Sequence, residues 1–369
     1  MDEMSKLGFG CMRLPVNNEN KIDYVEFQKM VDLYLGAGGF YFDTAFGYHK
    51  QQSEIALGDV LVSNYPREKY EIATKLPAWK HTVANENEAK QMFFSSMNRL
   101  GTDYIDYYLF QNMGEDRSIY YDKYNLWDFV NKLKKQGLIH HFGVSVHDGP
   151  EHIEKLLIEH PEIEFVQLQI NYADYYSISV KAKECYEMVR KYNKPIIVME
   201  PLKGGTLVKP PESVQTILGD KVPRSNAEKA FRFVNQLDGI KIILSGMSSV
   251  QQMKDNIEIF ERIRHVKEDI SYMYEAGKAF LQIEQIACTS CNYCLDACPQ
   301  RVKISKIMTA MNFEKIYQNR HMAEHYYFSN VFLKGKASEC ICCGKCEKIC
   351  PQRLEIRKFL KEAVEYFGE

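Results

Sequence analysis

At 369 residues the chain is long enough for one large domain and an appended smaller one. Hydrophobic residues make up 45% and charged residues 26% of the sequence, so a large core is expected and disorder is not. A formal net charge of −2 argues against nucleic acid or an anionic membrane surface as a partner. We find no secretory signal and no apolar run of membrane-spanning length, which predicts a cytoplasmic protein without membrane contact.

Between residues 8 and 245, short apolar runs alternate with longer amphipathic stretches. The runs are rich in β-branched and aromatic residues and are bounded by Gly, Asp, Asn or Pro, which is typical of strands. The stretches between them have helical spacing, and Gly36 and Gly101 close two of them. We predict strands at residues 9–12, 40–43, 70–74, 105–110, 141–146, 165–170, 195–199 and 241–244.

Eight strands that alternate with helices predict parallel pairing and closure as a (β/α)8 TIM barrel. An open doubly wound sheet is the competing architecture, but no G-x-G-x-x-G follows the first strand. A long ordered loop is expected around Pro210 and Pro211. Residues 250–283 should form two helices that lead out of the barrel. We therefore divide the chain into a barrel over 1–265 and a helical extension with a second domain over 266–369.

The second domain contains nine of the eleven cysteines, arranged as two C-x2-C-x2-C-x3-C-P motifs that end at Pro299 and Pro351. This is the spacing of bacterial [4Fe–4S] sites. Zinc is the first alternative, but a structural zinc needs four ligands rather than three plus a fourth in each of two motifs. Disulfides are the second alternative, but a secreted disulfide scaffold would not confine its cysteines to one end. The motifs predict two [4Fe–4S] clusters.

When two such motifs occur together, the fourth cysteine of each completes the other cluster. Cys342 is out of register and is expected to be a spare thiol. The long segment between the motifs has helical spacing over 304–317, which predicts a small, mainly helical, ferredoxin-like domain. The rule assigns Cys288, Cys291, Cys294 and Cys350 to one cluster, and Cys340, Cys343, Cys346 and Cys298 to the other.

Chemistry on a (β/α)8 barrel takes place where the strands end at their C-terminal side. Those ends carry Asp43, Lys75 and Gln111, with Tyr48 shortly after the second strand. Tyrosine has an ordinary pKa of about 10, and a nearby ammonium lowers it. Asp43 would hold Lys75 charged and in place. We expect Tyr48 to donate a proton to a carbonyl oxygen while hydride reaches the carbon.

With these residues in register, the chain resembles the aldo/keto reductase family, and within it the members with a C-terminal ferredoxin-type domain. The matching segments span nearly the whole barrel. They are D-T-A-F-G-Y at 43–48, S-E at 53–54, L-G at 57–58, T-K at 74–75, R-L-G-T-D-Y-I-D at 99–106, G-V-S at 143–145, Q-I-N-Y at 169–172, E-P-L-K-G-G at 200–205 and G-M-S-S at 246–249.

The resemblance implies a nicotinamide-dependent oxidoreductase that acts on a small carbonyl or alcohol substrate. It makes Tyr48 the catalytic acid, supported by Asp43 and Lys75, and places the nicotinamide carboxamide at Ser145 and Gln169. The loop after the seventh strand and the segment 246–256 would hold the pyrophosphate and adenosine. The contacts implied there are Leu202, Gly204, Gly246, Ser248, Gln252 and Asn256.

Three positions depart from the family pattern. Gln111 replaces a catalytic histidine; its amide can still donate a hydrogen bond but cannot titrate. Met199 replaces a tyrosine that often stacks on the nicotinamide. Gly246 and Gln252 replace basic residues that bind the 2′-phosphate of NADP, which favours NADH, although Lys254 could still reach such a phosphate.

Nicotinamide transfers two electrons as a hydride, whereas [4Fe–4S] clusters transfer one, and no flavin fingerprint is apparent to connect them. Three interpretations follow. In the first, a nicotinamide-dependent reductase carries clusters that are structural or exchange electrons with a partner protein. In the second, the clusters reduce the substrate and nicotinamide is marginal. In the third, the barrel is catalytically inactive and only carries an electron-transfer module. The sequence favours the first.

Overall fold

A computed structural model of the chain describes residues 6–19, 21–78, 83–178, 180–219, 225–264, 267–286, 288, 293–331, 335–350 and 354–369. Eight parallel strands form a closed barrel in chain order, and the last pairs with the first. The predicted (β/α)8 barrel is confirmed, and the alternative open sheet is wrong. The strands are β1 (Leu7–Gly10), β2 (Tyr41–Asp43), β3 (Glu71–Leu76), β4 (Ile105–Met113), β5 (Ile139–Val146), β6 (Phe165–Gln169), β7 (Ile196–Met199) and β8 (Ile240–Ser245).

Local capping explains where several barrel helices begin. The Asp23 carboxylate accepts from the Val25 and Glu26 amides, and the Asn85 side chain accepts from the Glu88 amide. The barrel-side helices are α1 (Tyr24–Gly36), α2 (Gln52–Leu57), α3 (Glu86–Leu100), α4 (Glu115–Lys123), α5 (Leu126–Lys135), α6 (Pro150–Glu159), α7 (Ala182–Lys191), α8 (Glu212–Leu218), α9 (Asn226–Asn235), α10 (Val250–Ile263) and α11 (Ser271–Leu281).

The barrel interior is filled by alternate residues of the strands, as the two-residue period of a strand requires. Large side chains fill the barrel below the strand ends, and a cavity lies at the C-terminal mouth. The interior cluster consists of Tyr41, Ala73, Tyr107, Leu109, Phe165, Ile197, Ile242 and Leu244.

The region after β7 differs from the expected long loop, because residues 203–208 form a 3-10 turn and α8 follows Pro211 directly. The two helices expected over 250–283 are present as α10 and α11. Helix α11 packs into the barrel core, and a Cβ on Gly277 would lie 2.2 Å from the Tyr172 carbonyl oxygen. The boundary at residue 265 stays a prediction, and these contacts favour a boundary after α11.

The C-terminal part is helical and has a core of its own, built around Ile307, Met308, Tyr327 and Leu360. The rings of Tyr327 and Phe367 stack with their centroids 3.9 Å apart. In the described parts of the chain, no helix combines the length and hydropathy needed to cross a bilayer. The helices are α12 (Tyr293–Ala297), α13 (Ile304–Tyr317), α14 (Arg320–Val331), α15 (Lys345–Lys348) and α16 (Ile356–Phe367).

Candidate active site

Three of the predicted catalytic side chains meet at the mouth of the barrel. Lys75, on β3, donates from Nζ to a carboxylate oxygen of Asp43 at 2.6 Å and to the carbonyl oxygen of Thr44 at 2.7 Å. The same Nζ lies 3.5 Å from the hydroxyl of Tyr48. Because β2 and β3 pair in register from Tyr41 onward, their ends bring the acid and the ammonium together. Lys75 thus contacts Tyr48 and Asp43, which lie 27 and 32 positions before it in the sequence.

Burial sets the protonation of this group. Burial alone lowers the pKa of Lys75, but the attraction of Asp43 and Tyr48 raises it above its ordinary value, so Lys75 is charged. Burial raises the pKa of Tyr48 and Lys75 only partly opposes this effect. The net lowering of the Tyr48 pKa expected from the sequence is therefore wrong. Tyr48 is protonated at neutral pH, which is the form that an acid catalyst requires.

Helix α2 supports this group from outside the barrel. The fully buried Glu54 accepts from Thr74 Oγ1 at 2.6 Å and pairs with Arg99. Ser53 Oγ donates to the carbonyl oxygen of Cys11 and lies 2.9 Å from Thr44 Oγ1. These contacts fix the strand ends that carry Asp43 and Lys75.

The turn after Tyr48 has an unusual backbone. His49, Lys50 and Gln51 have φ values of 49°, 54° and 71°, the left-handed region that non-glycine residues seldom adopt in succession. Nε2 of His49 accepts a hydrogen bond from the Leu14 amide at 3.0 Å. This bond ties the turn to the segment after β1 and so helps to hold Tyr48 in the cavity wall.

Gln111 lies near the end of β4, the strand that pairs with β3. The buried Tyr121 hydroxyl lies 2.8 Å from the Leu76 carbonyl oxygen and 2.9 Å from that of Gln111. The next residue, Asn112, has a φ of 53°, and its amide donates to Ser145 Oγ at 3.4 Å. Gln111 and Ser145 both line the same cavity as Tyr48.

That cavity has a volume of about 1360 Å³ and extends from the strand ends toward α9 and α10. A pocket of this size and position is where a (β/α)8 barrel binds its ligands. Of the predicted site residues, the following line it: Asp43, Tyr48, Lys75, Gln111, Ser145, Leu202, Gly204, Gly246, Ser248, Gln252 and Asn256.

Gln169 is the one predicted barrel-site residue that does not line the cavity. Its side-chain amide instead donates to Asp174 at 2.7 Å. Gln167, two residues earlier on the same face of β6, lines the cavity in its place. The buried side-chain oxygen of Gln167, Oε1, has no hydrogen-bond partner among the described residues. Such an acceptor suits the NH₂ group of a nicotinamide carboxamide.

His147, which directly follows β5, also lines the cavity. The surrounding protein and the nearby Arg117 lower its pKa to about 4. His147 is therefore neutral at physiological pH. It can contribute a hydrogen bond to a ligand but not a positive charge.

The far end of the cavity contains charged residues that the sequence reasoning missed. Glu228 accepts from Arg232 at 2.8 Å and from Arg262 at 3.0 Å. Asp255 and Glu258 line the same end. The sequence shows that the two acids lie three residues apart on one face of α10. It does not show that α10 packs next to α9, where Arg262 binds Glu228.

Seven of the eight assigned cysteines are described, and all of them except the exposed Cys343 lie in or against the C-terminal core. Cys294 and Cys346 are buried, and the others are exposed or half-buried. Helices α12 and α15, one from each motif, pack against each other. Burial raises the pKa of Cys340, and the nearby Cys298 raises it further. This proximity agrees with the predicted exchange of the fourth cysteine. Cys291 lies outside the described residues.

No disulfide and no group of three side chains arranged for a single metal ion occurs among the described residues. A cubane differs from a single ion because each of its four iron atoms binds a separate thiolate. The pairing of the two motif helices fits such a cluster.

The model of the aldo/keto reductase family matches residues 6–278, which is most of the chain. The chain belongs to the aldo/keto reductase family. A second family model, the 4Fe-4S dicluster domain, matches residues 287–354. The protein is thus an NAD(P)-dependent oxidoreductase of the aldo/keto reductase type with a C-terminal 4Fe-4S domain.

Its relatives are distant. An aldo-keto reductase of Mycolicibacterium smegmatis is 26% identical over 236 residues, which cover 64% of this chain and 77% of the relative. An uncharacterized oxidoreductase of Bacillus subtilis is 20% identical and covers 75% of this chain and 94% of its own.

Solved structures share the fold over about three quarters of the chain. The holo form of an aldo-keto reductase from Bacillus halodurans has a TM-score of 0.60 at 23% identity and covers 75% of this chain and 92% of its own. An aldo/keto reductase from Klebsiella pneumoniae, solved with NADP and acetate, has a TM-score of 0.59 at 16% identity and covers 74% and 91%. At these identities the likeness concerns the fold.

Proposed function

We propose that this enzyme reduces small carbonyl compounds, or oxidises the corresponding alcohols, with a nicotinamide nucleotide bound in the barrel cavity. The observation that carries the proposal is the Tyr48 hydroxyl, which faces the cavity 3.5 Å from the ammonium of Lys75. The nucleotide supplies a hydride when it is bound. Tyr48 gives its proton to the carbonyl oxygen, and Lys75 stabilises the phenolate that remains.

The nucleotide extends, in this proposal, from Gln167 and Ser145 along the segments that contain Gly204 and Gly246 toward α10. Two left-handed glycines, Gly204 and Gly205 with φ of 65° and 97°, allow the main chain to approach a phosphate closely. Both segments line the cavity, and a Cβ on Gly204 would face the Arg13 side chain at 3.5 Å. The residues present therefore fit a dinucleotide.

NADH is the nucleotide that the far end of the cavity favours. Asp255 would repel the 2′-phosphate of NADPH, whereas its carboxylate can accept from a ribose 2′-hydroxyl. Glu258 is paired with Arg262. Arg232 and Arg262 already bind Glu228, so their charges are largely compensated. We expect a lower Kd for NADH than for NADPH in calorimetric titrations; a strong preference for NADPH would overturn this part of the proposal.

Two [4Fe–4S] clusters, held by the eight cysteines of the paired motifs, complete the proposed enzyme. Because nicotinamide and clusters differ in electron count, the clusters serve either the stability of the C-terminal domain or exchange with a redox partner protein. Cytoplasmic location suits thiolate ligands, which a reducing compartment preserves.

One experiment tests the proposal against its alternatives. The anaerobic protein is titrated with NADH and NADPH while visible and EPR spectra are recorded, and carbonyl turnover is measured for the wild type and for Tyr48→Phe. We expect saturable binding, and a kcat about 100-fold or more lower in the variant at an unchanged Kd for the nucleotide. Turnover that needs dithionite and ignores NADH would instead support cluster-driven reduction. Intact clusters without turnover in either protein would support a carrier role.

A further inference from the structure

Arg13 lines the cavity but has no role in the proposed proton transfer from Tyr48. It follows β1, and its Nη2 lies 2.9 Å from a carboxylate oxygen of Glu200, at the end of β7. Both residues line the cavity, with 41% of the Arg13 side chain and 26% of the Glu200 side chain exposed. An ion pair as exposed as this one contributes little to the free energy of folding. Separating Arg13 from Glu200 therefore costs little free energy.

The guanidinium lies between the two glycine segments. A Cβ on Gly204 would be 3.5 Å from Nη2, and a Cβ on Gly246 would be 3.5 Å from Nη1. The carbonyl oxygen of Arg13 accepts from Ser248 Oγ at 2.7 Å, which fixes its backbone against the segment after β8. The side chain is thus anchored at its base and movable at its tip.

The other cations that line the cavity are engaged elsewhere. Lys75 is buried between Asp43 and Tyr48, and both Arg232 and Arg262 bind Glu228 at the far end. Among the described residues, Arg13 is the cavity-lining cation that lies between the Lys75 site and the Glu228 end of the cavity. A dinucleotide that spans the cavity carries its two phosphate charges in the same interval.

We propose that Arg13 is the pyrophosphate-binding residue of this enzyme and that it leaves Glu200 to bind the nucleotide. The planar guanidinium can form two parallel hydrogen bonds to phosphate, which are stronger than its single exposed contact with Glu200. The main chain of Glu200 is held by Asn171, whose Nδ2 donates to its carbonyl oxygen at 3.0 Å. Glu200 thus competes with the nucleotide for one cation. The inference rests on the proposed nucleotide site.

The test compares Arg13→Met, Arg13→Lys and a charge-matched control, Lys29→Met, which removes a cation from the exposed side of α1. The Kd of each full-length protein for NADH and for ADP-ribose is measured by calorimetry. We expect Arg13→Met to raise both Kd values about 10-fold or more, Arg13→Lys to raise them less, and Lys29→Met to leave them unchanged.

Glu200→Gln provides an independent measurement, because it keeps the size of the side chain and removes the competing charge. We expect it to lower the Kd for ADP-ribose. An unchanged or higher Kd would overturn the competition. If Arg13→Met binds ADP-ribose as the wild type does, the assignment of Arg13 is wrong while the nucleotide site stands. If the wild type binds neither ligand, the proposed function itself is wrong.

Discussion

The ammonium of Lys75 lies 2.6 Å from the carboxylate of Asp43, and the two side chains are only 2% and 3% exposed. Removing one partner of such a buried pair leaves an uncompensated charge in the protein interior. We expect Asp43→Asn to lower the free energy of unfolding by about 3 kcal/mol and to abolish most turnover. Chemical denaturation of the purified variant measures the first effect.

The double variant Asp43→Asn with Lys75→Met separates charge burial from catalysis. Because it buries no unpaired charge, it should regain most of the lost stability without regaining activity. A double variant as unstable as Asp43→Asn alone would show that packing, rather than charge, causes the loss.

In the proposed reaction, the protonation of Tyr48 determines how the rate of carbonyl reduction depends on pH. Since burial raises its pKa above the ordinary value of about 10, the phenol stays protonated through neutral and mildly alkaline pH. The kcat for reduction should therefore be insensitive to this group up to about pH 10 and should fall above it, as the proton is lost. An apparent alkaline pKa well below 10, absent in Tyr48→Phe, would show that Lys75 outweighs burial in the working enzyme.

The family resemblance implies a histidine at the position of Gln111. Its backbone is held by Tyr121, so a substitution should change the side chain without moving β4. We expect Gln111→His to raise kcat/KM for aldehydes, because imidazole can both donate a hydrogen bond and titrate. Gln111→Met, of similar volume but without a donor, should lower it. If histidine gives no gain, the glutamine is not what limits carbonyl reduction.

The hydrogen bond from the Leu14 amide to His49 holds the left-handed turn behind Tyr48. Loss of the acceptor leaves a backbone N–H without its partner, at a cost of about 1–3 kcal/mol, and permits the strained turn to relax. His49→Phe should therefore lower kcat more than it weakens nucleotide binding. His49→Gln places an acceptor at a similar reach and should restore much of kcat. Equal kcat values for the two variants would rule out a positioning role.

Two adjacent cysteines provide a matched test of cluster ligation. Cys343 is assigned as a ligand, whereas Cys342 is out of register, exposed, and has a φ of 54°. Its amide donates to Cys340 Sγ at 3.4 Å, a contact that alanine preserves. In anaerobically reconstituted protein, Cys343→Ala should lower the iron content from about eight to about four atoms per chain, while Cys342→Ala should leave it unchanged. The opposite pattern would refute the assigned register.

The barrel and the paired cysteine motifs were predictable from the sequence because both depend on local spacing, whereas the aldo/keto reductase family was indicated by a resemblance in matching segments. The cysteine motifs and the strand-to-helix alternation each encode geometry within a few residues. The strand ends also identified Asp43, Lys75 and Gln111, since all parallel strands of a barrel end at the same mouth.

Which residue of a strand reaches the cavity was harder to predict from the sequence. Gln167 and Gln169 share one face of β6, because side chains two apart point the same way. The depth of the cavity and the position of Asp174 decide that Gln167 reaches it and Gln169 does not.

The sequence by itself predicted the barrel, the paired cysteine motifs and the candidate acid Tyr48 beside Lys75, because these follow from short-range periodicity and residue type. Only the tertiary structure decided the protonation of Tyr48 and the pairing of Arg13 with Glu200, which lie 187 positions apart. The physical reason is that burial and long-range electrostatics arise when the barrel closes, and no local pattern records them.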